Sequence, residues 1–223
     1  IKVVANAGGV NVKACADALS EVAEGLGIPM KIGIVEGDDL SDRFDALRKE
    51  NITEMFTGKP LPEKLTSANA YLGAFPIAAA RDEGADIVIT GRCVDSAVTL
   101  GPLIHEFGWG LDDFDQLAAG CLAGHILECG AQATGGNFTD WQDVVSGWDN
   151  MGYPIAECRA DGCFSISKPD KTGGLVSPLT VGEQILYEIG DPAAYIMPDV
   201  VCDFSNVTIQ QAGKDKVEIA GAK

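Results

Sequence analysis

Residues 1–35, IKVVANAGGVNVKACADALSEVAEGLGIPMKIGIV, decide the fold. Ile1 to Ala5 is a short apolar run that stops at the turn Asn6-Ala7-Gly8-Gly9. Val12, Cys15, Ala16, Leu19, Ala23 and Leu26 then recur at helical spacing, with Lys13, Asp17, Glu21 and Glu24 off that stripe. This predicts an amphipathic helix with Asn11 as its N-cap. Met30 to Val35 is a second apolar run, closed by Glu36-Gly37-Asp38-Asp39. Strand, helix, strand with short turns is the βαβ unit of a parallel sheet.

The pattern continues outward. A helix is expected around Leu40, Phe44 and Leu47, a loop over Pro60–Glu63, a helix over Tyr71–Glu83 and a third strand over Ala85–Thr90. The strands are short and nearly all apolar, so they are expected to be covered by helices on both faces. Asp95 or Ser96 caps a helix through Phe107, with a kink or restart at Pro102. Asp112 or Asp113 caps a long helix to about Cys129. Beyond Trp141 the runs are shorter: Cys163–Ser167 extended, Val181–Ile189 helical, Val200–Ile209 and Val217–Ile219 extended. The fold class is therefore α/β. Residues 1–144 form a mostly parallel-sheet domain carrying the site, and residues 145–223 a mixed α+β portion packed on it.

Bulk composition narrows the function. A 46% hydrophobic content supports a sizeable core, and a net charge of −17 argues against nucleic acid and anionic membranes as partners. The seven cysteines are odd in number and form no CxxC, which fits reduced thiols in a cytoplasmic protein. No apolar run is long enough to span a bilayer and no signal peptide is present.

Chemistry in an open α/β sheet collects beyond the carboxyl ends of the strands. Asn6, Gly8 and Gly9 lead into a helix N-terminus, where free N–H groups favour an anion. A plain strand-to-helix turn explains them equally. Gly91 and Arg92 follow the third strand, and Asp95 three residues on could orient Arg92 as a carboxylate or phosphate clamp. A structural Arg–Asp pair is the alternative. Asp38 could hold ribose hydroxyls or a cation, or cap a helix.

The sharpest anomaly is Ala119–Trp141, AGCLAGHILECGAQATGGNFTDW. At 100° per residue, Phe114, Leu117, Ala118, Cys121, His125 and Glu128 share one stripe of a helix that is apolar nearly all round. His125 and Glu128 can act as a general base and its orienter, or form a buried packing pair. Gly135, Gly136 and Asn137 in the turn that follows are candidate oxyanion donors. His105, the only other histidine, is a second candidate, or a helix-end residue favoured by the dipole. Cys129 could be a nucleophile, although buried thiols are usually inert. With no HExxH and no second nearby histidine, a metal site is not expected.

At these motifs the chain resembles the acyclic terpene utilisation proteins of the AtuA type. The resemblance lies in NAGGVN at 6–11, VEGDDL at 35–40, ANAYLGAFPIAAA at 68–80, DIVITGRCVDSAVTLGPLIHEFGW at 86–109, LAAGCLAGHILECGAQATGGNFTDW at 117–141 and PDVVCDF at 198–204. It implies a role in bacterial breakdown of acyclic terpenes and, by extension, of branched acyl-CoA. It also implies a fragment truncated at both ends, since members extend further each way. It carries no catalytic residues over.

The expected activity is hydration, dehydration or C–C cleavage beside the carbonyl of an isoprenoid acyl-CoA or free acid. His125 would be the acid/base and Glu128 its orienter. Arg92 and the helix start after Gly9 would hold a carboxylate or phosphates. The cofactor is open, with a CoA thioester as a candidate substrate. The expected partners are a small-molecule substrate and other copies of the chain in a homo-oligomer. The alternative is a non-catalytic accessory subunit of an acyl-CoA-processing complex.

Overall fold

A computed structural model describes residues 1–223. Strands β1 (Val3–Ala5), β2 (Ile32–Val35) and β3 (Ile87–Thr90) form a parallel sheet in the order β1-β3-β2. The register pairs Val4 and Gly33 with Val88. Helix α1 (Val12–Gly25) links β1 to β2, capped by the Asn11 side chain, which accepts from Ala14 N–H at 2.9 Å. Helices α2 (Phe44–Lys49) and α3 (Phe75–Asp82) lie between β2 and β3. Helices α4 (Ala97–Phe107) and α5 (Phe114–Glu128) follow, and α4 packs on both α3 and α5.

The second portion is antiparallel, as its short alternating runs require. Strands β4 (Ile155–Cys158), β5 (Phe164–Ser167), β8 (Thr208–Gly213) and β9 (Lys216–Ala220) pair in the order β4-β5-β9-β8. Helix α6 (Pro178–Leu186) opens on a capping box made by Ser177 and Thr180. A two-stranded ribbon of β6 (Tyr195–Ile196) and β7 (Val201–Cys202) lies between α6 and β8. One hydrophobic core runs through both portions, from Val35, Val88 and Leu117 to Phe164, Val217 and Ile219. No helix is long and apolar enough to cross a membrane.

Several expectations are corrected. Tyr71–Ala74 is not helical: Leu72 bridges Cys93 in an extended pairing, and α3 begins only at Phe75, beside Pro76. Proline in a first turn forfeits no helical hydrogen bond, which makes it a start signal. Covering of the parallel strands is incomplete, because β1 and β2 are both edges; Val3 and Ile34 are exposed, whereas Val88 and Ile89 of the central β3 are buried. Helix α4 does not restart at Pro102. Asp113 precedes α5, but its carboxylate accepts from Gly110 N–H at 2.6 Å and caps nothing in the helix. The run 200–209 divides into β7 and the start of β8.

Candidate active site

Helix α5 is buried on all sides from Leu117 to Ile126, so it brings a histidine into the core with it. His125 Nδ1 lies 3.1 Å from Glu128 Oε1, with the two side chains 5% and 12% exposed. The other ring nitrogen, Nε2, is buried without a hydrogen-bond partner. Gln184 of α6 donates from Nε2 to the His125 carbonyl at 3.0 Å, tying α6 to the end of α5.

The free edge of His125 borders a cavity of ≈ 270 Å³. Val94, Asp95 and Ser96 line it from the turn into α4, Glu128 from α5, and Tyr71 and Glu188 from loops. The third wall is Tyr195, Ile196 and Met197 of the β6–β7 ribbon. Asp199 at the tip of this ribbon fixes it, since both of its carboxylate oxygens accept from Ala74 N–H at the start of α3. The Tyr195 ring stands 6.3 Å from that of His125. A second recess of ≈ 400 Å³ shares Asp95, Glu128 and Glu188 and adds Asn6, Val98, Cys129 and Tyr187. The carboxylates thus stand where two spaces meet.

The pair Asp95–Glu128 is electrostatically asymmetric. Partial desolvation at the cavity mouth and the contact with Glu128 raise the Asp95 carboxyl above its ordinary value. Burial would raise Glu128 as well, but contacts from His125 and Asp95 outweigh it and hold Glu128 below its ordinary value. Of the two, Asp95 takes up a proton more readily and Glu128 holds its charge more firmly. A Glu128 anion facing Nδ1 selects the tautomer whose Nε2 lone pair faces the cavity. Burial, then Glu128 and Glu188, raise the Tyr195 phenol and keep it protonated.

The structure sorts the candidates from the sequence. His125, Glu128, Asp95 and Asn6 come together. Arg92 stands beside them, its guanidinium 5.5 Å from the centre of the Tyr71 ring, and it forms no ion pair with Asp95. The carboxylate of Asp38 is neither a ribose clamp nor a helix cap. It is buried and accepts from Asn69 Nδ2 at 2.9 Å and Arg92 N–H at 2.8 Å. Gly91 leaves room for that carboxylate, and its own N–H is bonded to Val35 and so is not free to donate to a ligand.

Gly8 serves packing, because a Cβ there would meet Ile89, Thr90 and Val12 at 2.9 Å. Neither Gly8 nor Gly9 borders the cavity or the recess. The oxyanion role of Gly135, Gly136 and Asn137 also fails. Both glycine N–H groups are used within the turn, bonded to Gln132 and Ala131. Asn137 opens into a separate recess with Thr139 and Glu183. His105 pairs with Asp82 at 2.5 Å and lines neither the cavity nor the recess. Burial and Glu128 raise the Cys129 thiol, which disfavours it as a nucleophile.

Sequence reasoning missed Ser96, Glu188, Tyr195 and Met197 as cavity residues. The one signal for the last two is their closeness to the motif PDVVCDF at 198–204. No group of three or more His, Cys, Asp or Glu side chains is placed to hold a metal ion.

The model of the acyclic terpene utilisation family protein AtuA matches residues 1–223, the whole chain. No curated protein and no solved structure matches.

Proposed function

This chain belongs to the acyclic terpene utilisation family, and from that premise we propose that it is an enzyme acting beside the carbonyl of an isoprenoid acyl-CoA or the corresponding acid. His125 is the acid/base and Glu128 its orienter. The observation that carries this reading is the buried, unpartnered Nε2 of His125 on a cavity wall. A buried polar atom without a partner costs roughly 1–3 kcal/mol, a cost that a packing residue has no reason to keep and a proton carrier does.

The walls suit the substrate class. Val94, Ile196, Met197 and the Tyr195 ring offer apolar contact to a branched hydrocarbon. At ≈ 270 Å³ the cavity is slightly below the ~300–1,000 Å³ of drug-sized pockets, so it takes an acyl group rather than a whole CoA thioester. Asp95, Glu128 and Glu188 make its mouth negative, so the CoA phosphates would lie outside it. The same acidity, within a chain of charge −17, disfavours a nucleic-acid partner. Seven free cysteines accord with a cytoplasmic setting.

A thermal-shift panel with branched acyl-CoA thioesters, the free acids, nucleotides and unbranched acyl-CoA tests this reading. A ligand at 100 times its Kd adds about 2.7 kcal/mol to stability. Stabilisation by branched acyl compounds, lost on filling the cavity with Ser96→Phe, is the expected result. Stabilisation by nucleotides alone defeats the proposal.

A further inference from the structure

We infer from two unpartnered atoms on one cavity that Ser96 is a nucleophile and His125 its base, so that the site transfers the acyl group of a branched thioester through an acyl-Ser96 intermediate. This rests on the acid/base reading of His125 given above and narrows its chemistry to acyl transfer.

Three buried side-chain nitrogen or oxygen atoms in the chain lack a hydrogen-bond partner: Ser96 Oγ, His125 Nε2 and Gln184 Oε1. The first two belong to residues lining the same cavity, and Gln184 does not line it. Buried polar groups are satisfied almost everywhere in folded proteins, so two orphans on one cavity mark a site that forms its hydrogen bonds with something else.

Ser96 already has helical backbone angles, so its hydroxyl is not turned back onto the first turn as that of an extended N-cap residue is. It stands at the N-cap of α4, yet its side chain makes no cap hydrogen bond. Asn11 and Ser177, at the same position of α1 and α6, both accept from the helix they precede. The Ser96 hydroxyl thus makes no bond to the first turn of its own helix and lies beside the Cys121 thiol.

Helix packing brings the Ser96 backbone onto α5 at the residue before the histidine. Gly124 directly precedes His125, and a Cβ on it would stand 2.6 Å from Ser96 Cα and 2.8 Å from Ser96 Cβ. A glycine is required there for the start of α4 to lie on α5 at this depth. The result is a serine and a histidine on one cavity wall, with Glu128 on the far nitrogen of the ring. Serine, histidine and a carboxylate in these roles are recognised by geometry rather than by chain order. In an empty site the serine–histidine hydrogen bond is commonly long and closes on substrate. The neighbouring thiols do not compete: Cys202 and burial hold Cys121 protonated, and burial raises Cys129.

The step is balanced without a redox partner. Ser96 Oγ attacks the acyl carbonyl carbon and its proton passes to His125 Nε2. The oxyanion forms at the first turn of α4, where Ala97 N–H is bonded to Val94 and Thr99 N–H to Ser96, so that the Val98 N–H is the donor left for it. The C–S bond breaks, and the thiolate leaves with the proton from His125. Water then adds to the acyl-Ser96 ester, giving its proton to His125. The C–O bond to Ser96 breaks, Oγ regains that proton, and the products are a free acid and a thiol.

A fluorophosphonate, which releases fluoride on reaction with an activated serine, tests the nucleophile in the intact protein. One equivalent is expected to add, mapped by peptide mass spectrometry to Ser96. Ser96→Ala should block it and His125→Gln should slow it at least 100-fold. Ser96→Cys should restore thiol release from a 3-methylbutanoyl thioester to part of the wild-type rate. Ser96→Ala removes an oxygen that has no partner, so its melting temperature should match the wild type. Absent labelling, or labelling elsewhere, overturns the inference. If Ser96→Ala keeps thioester turnover while His125→Gln loses it, the nucleophile is wrong and the acid/base reading stands. If both keep it, both readings fall.

Discussion

Two histidine–carboxylate pairs end two adjacent helices, and they differ in everything except their chemistry. His105 closes α4 and pairs with Asp82 at 2.5 Å, the two side chains 24% and 67% exposed. His125 closes α5 and pairs with Glu128 at 3.1 Å, almost out of reach of water. Both sit where the helix dipole favours a cation. The Nε2 of His105 faces Glu106 at 4.0 Å, and the residue lines neither the cavity nor the recess beside His125. The Nε2 of His125 has no partner, and its residue lines a cavity. A pair bathed in solvent gains little from its Coulomb attraction. A pair in a dry wall has its tautomer and ring orientation fixed, which is what proton transfer to a bound substrate requires.

Five substitutions break or sharpen this contrast. The largest effect is expected from His125→Gln, which should lower turnover by about 10²–10⁴, the usual contribution of a general acid/base. Its melting temperature should move by only a few degrees, by differential scanning fluorimetry. Equal loss of stability and activity would make His125 a packing residue like any other.

Next is Gly124→Ala, which forces a Cβ onto the Ser96 backbone. Overpacking of this kind costs about 1–3 kcal/mol, measurable as a shift in the urea midpoint. Activity should fall further than stability, because the displaced element carries the cavity wall. A fully stable, fully active Gly124→Ala would show that the close approach of α4 and α5 is unimportant.

The carboxylates give a smaller, pH-dependent effect with opposite signs. Glu128 is held below its ordinary 4.5, so its contribution to stability is present above that value and is lost as pH falls through its lowered one. Asp95 is raised above 3.8, so its contribution is present below that value and is lost as pH rises through its raised one. Asp95→Asn, a permanent mimic of the protonated form, should therefore flatten the decline on the upper side and leave the acid limb set by Glu128. Glu128→Gln should remove the acid limb. Thermal melts across pH 3 to 8, on the order of the range where such groups titrate, check both; unchanged profiles would mean the two carboxylates do not share a proton.

The smallest effect belongs to His105→Gln. An exposed pair is worth roughly 0–1 kcal/mol, and the substitution should leave turnover unchanged within about twofold. A large loss of activity would move the site to the other end of α4.

Much of this was legible in the residues. Asn11 caps α1 as its spacing requires, and His125 and Glu128 fall together because three residues on a helix return to one face. The parallel pairing of β1, β2 and β3 followed from apolar runs alternating with amphipathic ones. What was misread turned on competition among partners. Asp113 had the chemistry of a cap but found Gly110 first. Asp38 had the chemistry of a ligand clamp but was claimed by Asn69 and Arg92. The glycines at 135 and 136 had N–H groups suited to an oxyanion, and the turn itself consumed them.

Sequence by itself determined the α/β class, the family, the parallel and antiparallel portions, and the pairing of His125 with Glu128. The family rests on its motifs; the class, the two portions and the pair depend on periodicity or on neighbours a few residues apart, where backbone geometry dictates who meets whom. Tertiary structure decided the rest. Tyr195 and Met197 reach His125 only because Asp199, 125 residues away in the chain, seals the start of α3 at Ala74. Ser96 lies on α5 beside the cavity only because Gly124 has no side chain to hold α4 off. Whether a polar atom keeps a partner is a property of the whole packed interior, and the sequence does not write that down locally.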